Sequence, residues 1–188
     1  MENTSLLQVS MIREHLERIP QFALPSSFSI RWYQSGDAQA WVKIQQQADQ
    51  YHSITPALFE REFGHNDAVL QDRQCFLCDA SGQAIGTATA WFNDNYRGKP
   101  YGRVHWVALV PAMQGKGLAK PLLSAVCSRL RELNHTRAYL VTETARIPAI
   151  NLYLKFGFVP EIKSANDLSA WREVERRGLN VPLHDHEP

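Results

Sequence analysis

The residues best placed to do chemistry lie in one short run. Gln114-Gly115-Lys116-Gly117-Leu118-Ala119 joins a strand-like stretch to a helical one. Its small residues let backbone N–H groups approach a ligand without side-chain obstruction. The first-turn amides of the helix have no internal partner and sit at the positive end of its dipole, while Lys116 and Lys120 add mobile positive charge. Such a turn suits a pyrophosphate. Gly115 and Gly117 alone would equally make a plain tight surface turn. The spacing is neither the Gly-x-Gly-x-x-Gly of a dinucleotide fold nor the four-residue gap and Gly-Lys-Ser/Thr of a P-loop. It is Gln-x-x-Gly-x-Ala.

Other reactive side chains read as structural. Cys75 and Cys78 have C-x-x-C spacing, but Gln74 to Asp79 reads as a strand in which positions three apart face opposite ways, so neither a zinc nor a redox site is expected there. Cys127 falls beside Leu123 at a helical apolar position and reads as core. His184 and His186 lie in a polar tail where chance explains them.

On these residues the sequence resembles the GNAT superfamily of N-acetyltransferases, whose acyl-CoA signature is Gln or Arg, two residues, Gly, one residue, then Gly or Ala. Gln114, Gly117 and Ala119 fit it. The likeness extends to the preceding strand Trp106-Val107-Ala108-Leu109-Val110-Pro111 and to Asn151-Leu152-Tyr153-Leu154-Lys155-Phe156-Gly157-Phe158, which looks like that superfamily's second cofactor element. The resemblance implies acetyl-CoA as acyl donor, held by Leu109, Val110, Gln114, Gly115, Lys116, Gly117, Leu118, Ala119, Lys120, Asn151 and Tyr153, with no metal. Coenzyme A offers both a pyrophosphate and a 3′-phosphate to such a turn. The fold implied is a three-layer α/β arrangement, a mixed and mostly antiparallel sheet between helices with diverging central strands. Exposed strand backbone at Leu109 and Val110 would bind the pantetheine arm. The Leu109 N–H would face the thioester oxygen, where an oxyanion donor supplies about 2.7–4 kcal/mol.

The implied reaction is direct attack of a primary amine, on a small molecule or on a peptide or protein, within a ternary complex. An amine with a pKa near ~10.4 is protonated at neutral pH, so a base is needed, and the departing thiolate needs an acid. Tyr153 matches the tyrosine that serves as acid in many superfamily members; read alone it would be a core aromatic. Where relatives often place a glutamate on the strand before the turn, this chain has Arg103, which cannot accept a proton. His105, two residues on and on the same strand face, and Glu143, at the end of the strand opposite, are the candidate bases, with Asp94 third. His105 reads equally as a packed structural histidine. Acceptor selection would fall to Tyr51-His52 and to Trp91 through Tyr101. A non-catalytic acyl-CoA-binding module is the competing reading; it would keep the turn and lose the proton-transfer groups.

The elements that must position these residues follow from periodicity. Apolar residues at Leu6, Val9, Ile12, Leu16 and Ile19 predict a helix over 5–19, closed by Pro20 and Pro25. A strand over 28–33, a helix capped by Asp37 through Ala48 and a short helix after Thr55-Pro56 come next. Strands over 74–79 and 84–92 form a hairpin, a polar link covers 93–102, and a strand follows over 103–110. Leu118, Leu122, Val126 and Leu130 mark one buried helix face. A strand over 138–143, a helix over 148–156, a strand over 158–162 and a helix over 167–177 complete the chain. The resulting division is an N-terminal extension helix at 1–25, a GNAT domain at 26–165 and a C-terminal helix and tail at 166–188.

At 188 residues, the chain has the length of one domain. With 44% hydrophobic residues and a net charge of +1, it gives no support to polyanion binding. The charges among the first residues, Glu2, Arg13, Glu14, Glu17 and Arg18, argue against a secretory signal or a membrane span, so a cytoplasmic protein is expected. Its expected partners are acetyl-CoA and an amine acceptor, with no nucleic acid and no membrane; a homodimer is compatible with the sequence.

Overall fold

The computed structural model describes residues 6–183, so His184 and His186 lie outside the described residues. Seven strands form one mixed sheet: β1 (Gln8–Arg13), β2 (Ser29–Trp32), β3 (Gln74–Cys78), β4 (Ala84–Tyr96), β5 (Lys99–Leu109), β6 (Ala138–Glu143) and β7 (Val159–Glu161), in spatial order β2-β3-β4-β5-β6-β1-β7. All pairings are antiparallel except β5 with β6. Helices α1 (Ala38–Ala48), α2 (Pro56–Phe63) and α3 (Asp67–Arg73) supply one core with Trp41, Phe59, Phe63 and Leu70. Helices α4 (Ala119–Glu132), α5 (Ile147–Lys155) and α6 (Ala165–Arg176) supply the other with Leu122, Ile150 and Trp171. Strand β3, buried at every position, feeds both: Cys75 and Leu77 enter one core, Phe76 and Cys78 the other. The three cysteines are accordingly free and buried.

The predicted N-terminal helix is instead β1. Its apolar residues at intervals of three and four also contain a two-residue alternation, Val9 and Met11, and the latter decides because β6 and β7 offer ladder groups that need partners. Met11 is fully buried between them. The predicted link over 93–102 is also overturned. It is the far end of a long β4–β5 hairpin, turned at Arg97-Gly98, whose φ values of 56° and 73° suit a tight two-residue turn. Tyr96, stacked 3.7 Å from Tyr139 and donating its hydroxyl to Glu161, holds that end against the sheet. Helix α3 lies beyond the predicted elements; Asn66 caps it by accepting from the Ala68 and Val69 amides.

Smaller adjustments have local causes. The short helix expected after Thr55-Pro56 is α2, which Thr55 caps by accepting from the Leu58 amide. Asp37 precedes α1 but already has helical dihedrals and caps nothing; its carboxylate binds Arg31 at 2.6 and 2.9 Å and the Gln34 amide. The expected face of α4 is buried at Leu118, Leu122, Val126 and Leu130.

Two features of β5 shape the functional end. Thr87 pairs with Ala108 and Thr89 with His105, so Trp106 and Val107 together oppose the single residue Ala88. This bulge puts Trp106 at φ 50°, a costly conformation for a bulky side chain. One extra residue inverts the side-chain alternation: Val104 and Leu109 enter one core although they differ in parity, while Ala108 enters the other. Parallel pairing with β6 covers only Gly102↔Ala138 and Arg103↔Tyr139, after which the strands separate.

Because β1 is an inner strand, Met11→Ala is expected to lower unfolding free energy by about 2–5 kcal/mol in urea denaturation. Val159→Ala, at a half-exposed position on β7, should stay within about 0.5 kcal/mol.

Candidate active site

The gap between β5 and β6 opens onto the turn that starts α4. The Val110 N–H donates to Ile85 O at 2.9 Å, and Gly86 pairs with Leu109. By antiparallel alternation the backbone of Leu109 therefore points away from β4, into the gap. Leu109 is the residue at which the family resemblance implies an oxyanion donor. Val110 differs from Leu109: its N–H donates to Ile85 O and its carbonyl already accepts once, from the Met113 N–H.

Beyond Val110 a 3-10 turn (Pro111–Met113) leads into the glycine run. Gly115 and Gly117 have φ of 74° and 78°, a left-handed pair open to solvent where a side chain would sit. Among the described residues, no group accepts from the amides of Gly115, Lys116, Gly117, Leu118 or Ala119. Five consecutive free donors at a helix start make an anion cradle. The cradle meets α5 in a cleft of about 190 Å³ lined by Leu109, Gly115, Gly117, Leu118, Ala119 and Lys120 on one side and Pro148, Asn151, Leu152 and Lys155 on the other. Most of the expected cofactor residues thus converge. Lys116 stays exposed beside Met113, and the Gln114 side chain turns back to donate to Leu109 O at 2.9 Å, fixing the turn onto the strand end. Lys155 was not singled out from sequence, although it follows Asn151 by four residues and so shares its helix face.

Tyr153 lies on the adjoining face of α5, 8 % exposed, and its hydroxyl has no hydrogen-bond partner among the described residues. Burial pushes its phenol up to about 12; the neighbouring Arg146 opposes this and Glu143 adds to it. The proton therefore stays on the oxygen throughout the neutral range.

The two expected bases occupy different environments. His105 is buried against Phe63 and Trp106, and its Nε2 lies 3.0 Å from Glu62 Oε2. Burial drives the imidazole down to about 4, against the pull of Glu62. Glu62, on α2, is itself held at about 2 by the hydrogen bond from His105, with the Trp106 indole N–H donating at 3.0 Å. At neutral pH the ring is uncharged and donates Nε2–H to an ionised Glu62. Arg103 sits on the same strand face, its guanidinium 5.6 Å from the Tyr139 ring centroid, and its charge acts on both partners.

Glu143, buried at the end of β6, is gripped by Arg146 Nε. Arg146 also donates to Asp49 Oδ2 at 2.8 Å, and the same oxygen lies 2.9 Å from His52 Nδ1. His52 Nε2 is 3.6 Å from Glu143 Oε1. Four polar side chains, Asp49 at the end of α1, His52 in the loop after it, Glu143 on β6 and Arg146 at the start of α5, thus meet, and the last two act on Tyr153. Asp49 and Arg146 gave no sequence signal, because their partners are about a hundred residues apart in the chain. Among the described residues, no three His, Cys, Asp or Glu side chains are grouped to hold a metal ion, and no helix is long and apolar enough to cross a membrane.

A sheet splayed beside a free amide cradle, with helices on both faces, defines an α/β fold built to hold a phosphate-tailed ligand between diverging strands. The chain belongs to the acetyltransferase (GNAT) family, whose model matches residues 38–158. It is 29% identical over 145 residues to a mycothiol acetyltransferase of Pseudarthrobacter chlorophenolicus, an alignment covering 74% of this chain and 45% of that protein. The chain therefore spans about half the length of the curated relatives it matches. Among solved structures, a GCN5-related N-acetyltransferase from Sphaerobacter thermophilus superposes with a TM-score of 0.69 at 18% identity, over 82% of this chain and 48% of that one. A GNAT-family acetyltransferase from Colwellia psychrerythraea gives 0.62 at 13% identity, over 83% and 54%.

The His105–Glu62 pair should appear in the pH dependence of stability. With His105 at about 4 folded and about 6.5 unfolded, the unfolded chain holds the extra proton between those values, so stability rises with pH across that window. Glu62, lowered to about 2, contributes stability present above about 4.5 and lost as pH falls toward 2. Urea titrations from pH 3 to 8 should show both slopes. The His105 ring resonances in NMR should keep neutral shifts down to about pH 5; protonation at pH 6.5 would contradict the burial argument.

Proposed function

We propose that the chain is an acetyl-CoA-dependent N-acetyltransferase, transferring the acetyl group to a primary amine of a small molecule or peptide by direct attack in a ternary complex. The observation that carries this reading is the unpaired N–H of Leu109, which opens into the β5–β6 gap in the same cleft as the glycine run and its free amides. The name of the curated relatives supports acetyl transfer as the chemistry. The three free, buried thiols are compatible with action in the cytoplasm.

In this reading acetyl-CoA supplies an activated acyl carbon and a thiolate leaving group. The residues present fit it, since the amides of Gly115 to Ala119 match a pyrophosphate and Lys120 and Lys155 line the same cleft. The Leu109 N–H is directed at the acyl oxygen and stabilises the charge that develops there by about 2.7–4 kcal/mol. Tyr153, kept protonated by burial, gives its proton to the departing sulfur. The acceptor amine approaches from the side of α1 and α2, past Tyr51, His52 and Trp106. Glu143 faces that approach and attracts the ammonium. His105 supports Glu62 and Trp106 and, neutral with its Nε2–H committed, holds the wall in place.

Thiol release from acetyl-CoA, followed with 2-phenylethylamine, glucosamine, spermidine and a lysine-containing peptide, tests the reading. Saturable release with at least one amine is expected; cofactor binding with no release from any of them would leave a binding module. Tyr153→Phe should lower kcat by about 10²-fold with little change in acetyl-CoA affinity. Gly117→Val, which fills the cradle and strains a positive φ, should weaken coenzyme A binding by about tenfold or more in calorimetry. Unchanged affinity there would remove the cradle from the site.

A further inference from the structure

On the reading of this site as an N-acetyltransferase, we propose that His52, oriented by Asp49, is the general base that deprotonates the acceptor amine, with Glu143 as the carboxylate that docks the ammonium. The strand position where a base is expected is held by Arg103, and His105 has its Nε2–H committed to Glu62. The base must therefore come from another element.

The geometry around His52 meets the requirement. Asp49 is buried at the end of α1, and its Oδ1 accepts from the Tyr51 and His52 amides at 2.7 and 3.0 Å. That fold of the loop holds the imidazole in one place. Asp49 Oδ2, at 2.9 Å from Nδ1, selects the tautomer with hydrogen on Nδ1 and leaves the Nε2 lone pair free. Burial alone would raise the Asp49 carboxyl, but the bonds from Tyr51, His52 and Arg146 hold it below its ordinary value, so it stays ionised as the ring's partner. The His52 side chain is 37% exposed, open enough for a substrate to reach. Nε2 faces Glu143 Oε1 at 3.6 Å, too long for a hydrogen bond, so both atoms remain available to an amine lying against them. The charged groups facing His52 are Asp49 from α1, Glu143 from β6 and Arg146 from the start of α5, with Tyr51 and the Trp106 ring, 6.0 Å away, beside it. Arg146 spans both carboxylates and keeps them from repelling one another. Tyr153 feels the charges of Glu143 and Arg146, the same two groups that flank the His52–Asp49 pair.

The protons balance. The acceptor's ammonium gives one proton to His52 Nε2, which passes it to solvent. The freed nitrogen lone pair attacks the acyl carbon and forms the C–N bond. As the tetrahedral adduct collapses the C–S bond breaks, the sulfur takes the Tyr153 proton, and the second nitrogen proton restores Tyr153. The products are the acetamide, free thiol and one released proton.

The test uses the amine of the panel that the wild-type protein acetylates fastest, alongside 2,2,2-trifluoroethylamine, a weakly basic amine largely uncharged at neutral pH. His52→Ala should lower kcat by about 10²-fold with the first amine, leave acetyl-CoA affinity unchanged and flatten the rise of rate with pH. Added imidazole should restore part of the rate, and the defect should shrink with trifluoroethylamine, which needs no deprotonation. Asp49→Asn should lower kcat in the same direction, and NMR of wild-type His52 should show hydrogen on Nδ1. Glu143→Gln should raise KM for the charged amine more than it lowers kcat. His65→Ala, at an exposed site away from the cleft, serves as control. A His52→Ala protein with wild-type kcat and an unaltered pH profile, while Tyr153→Phe remains impaired, overturns the proposal and leaves the acetyltransferase reading standing. Absence of thiol release by the wild-type protein with every amine overturns that reading instead.

Discussion

The bulge at Trp106-Val107 is the constraint on which the functional end depends. A continuous β5 would keep its side-chain parity and its twist alongside β6. The extra residue re-aims the last turn of strand, so that Leu109 joins the core under α4 while its backbone opens toward the gap. The conformation is costly, since an indole side chain sits at φ 50°. Several contacts hold it there. Gln45, buried in α1, donates to Trp106 O at 3.1 Å, Glu62 accepts from the indole N–H, and Trp41 packs edge-on against the ring at 5.2 Å. Helices α1 and α2 thereby fix the strand distortion beside the cleft that α4 and α5 line on the other side of the sheet.

Trp106 also divides the acidic groups of the acceptor side. On one side Glu62 is tied to His105 and the indole; on the other Asp49 and Glu143 are bridged by Arg146 and face His52. Each buried carboxylate has a donor at hydrogen-bond distance, which the cost of burying an unpaired charge demands. The two groups differ in what they leave free. The Glu62 pair is closed, with the His105 Nε2–H committed and the ring held neutral by burial. The Asp49 group leaves one imidazole nitrogen and one carboxylate oxygen unengaged.

Much of this was legible in the sequence where local pattern and local chemistry coincide. The face of α4, the hairpin of β3 and β4, the short helix after Thr55-Pro56 and the opposed cysteines of β3 all follow from periods of 3.6 or 2 and from turn residues. The glycine run announced its cradle because free amides require small residues. The strand at Gln8–Arg13 was misread because its identity depends on a slot between β6 and β7, to which local spacing is blind. The bulge was invisible for a related reason: Trp106 carries no mark of a positive φ, and the contacts that impose it come from Gln45 and Glu62. The pairing of Val110 with Ile85 is likewise decided by the register that the bulge sets.

The replacement of a strand carboxylate by Arg103 reads differently in this light. A glutamate at that position would put a second negative charge beside Glu62, close to a histidine that burial keeps neutral. Arg103 instead lies over Tyr139 and helps hold Glu62 ionised. The charge balance of this wall therefore favours a cation on β5, while the uncommitted imidazole nitrogen and carboxylate oxygen lie where β6 and the loop after α1 meet. The loop after α1 is anchored to Asp49, and Asp49 to Arg146 at the start of α5. The same helix carries Tyr153 and one wall of the cleft, so α5 ties the tyrosine, the Asp49 group and the glycine run to one element.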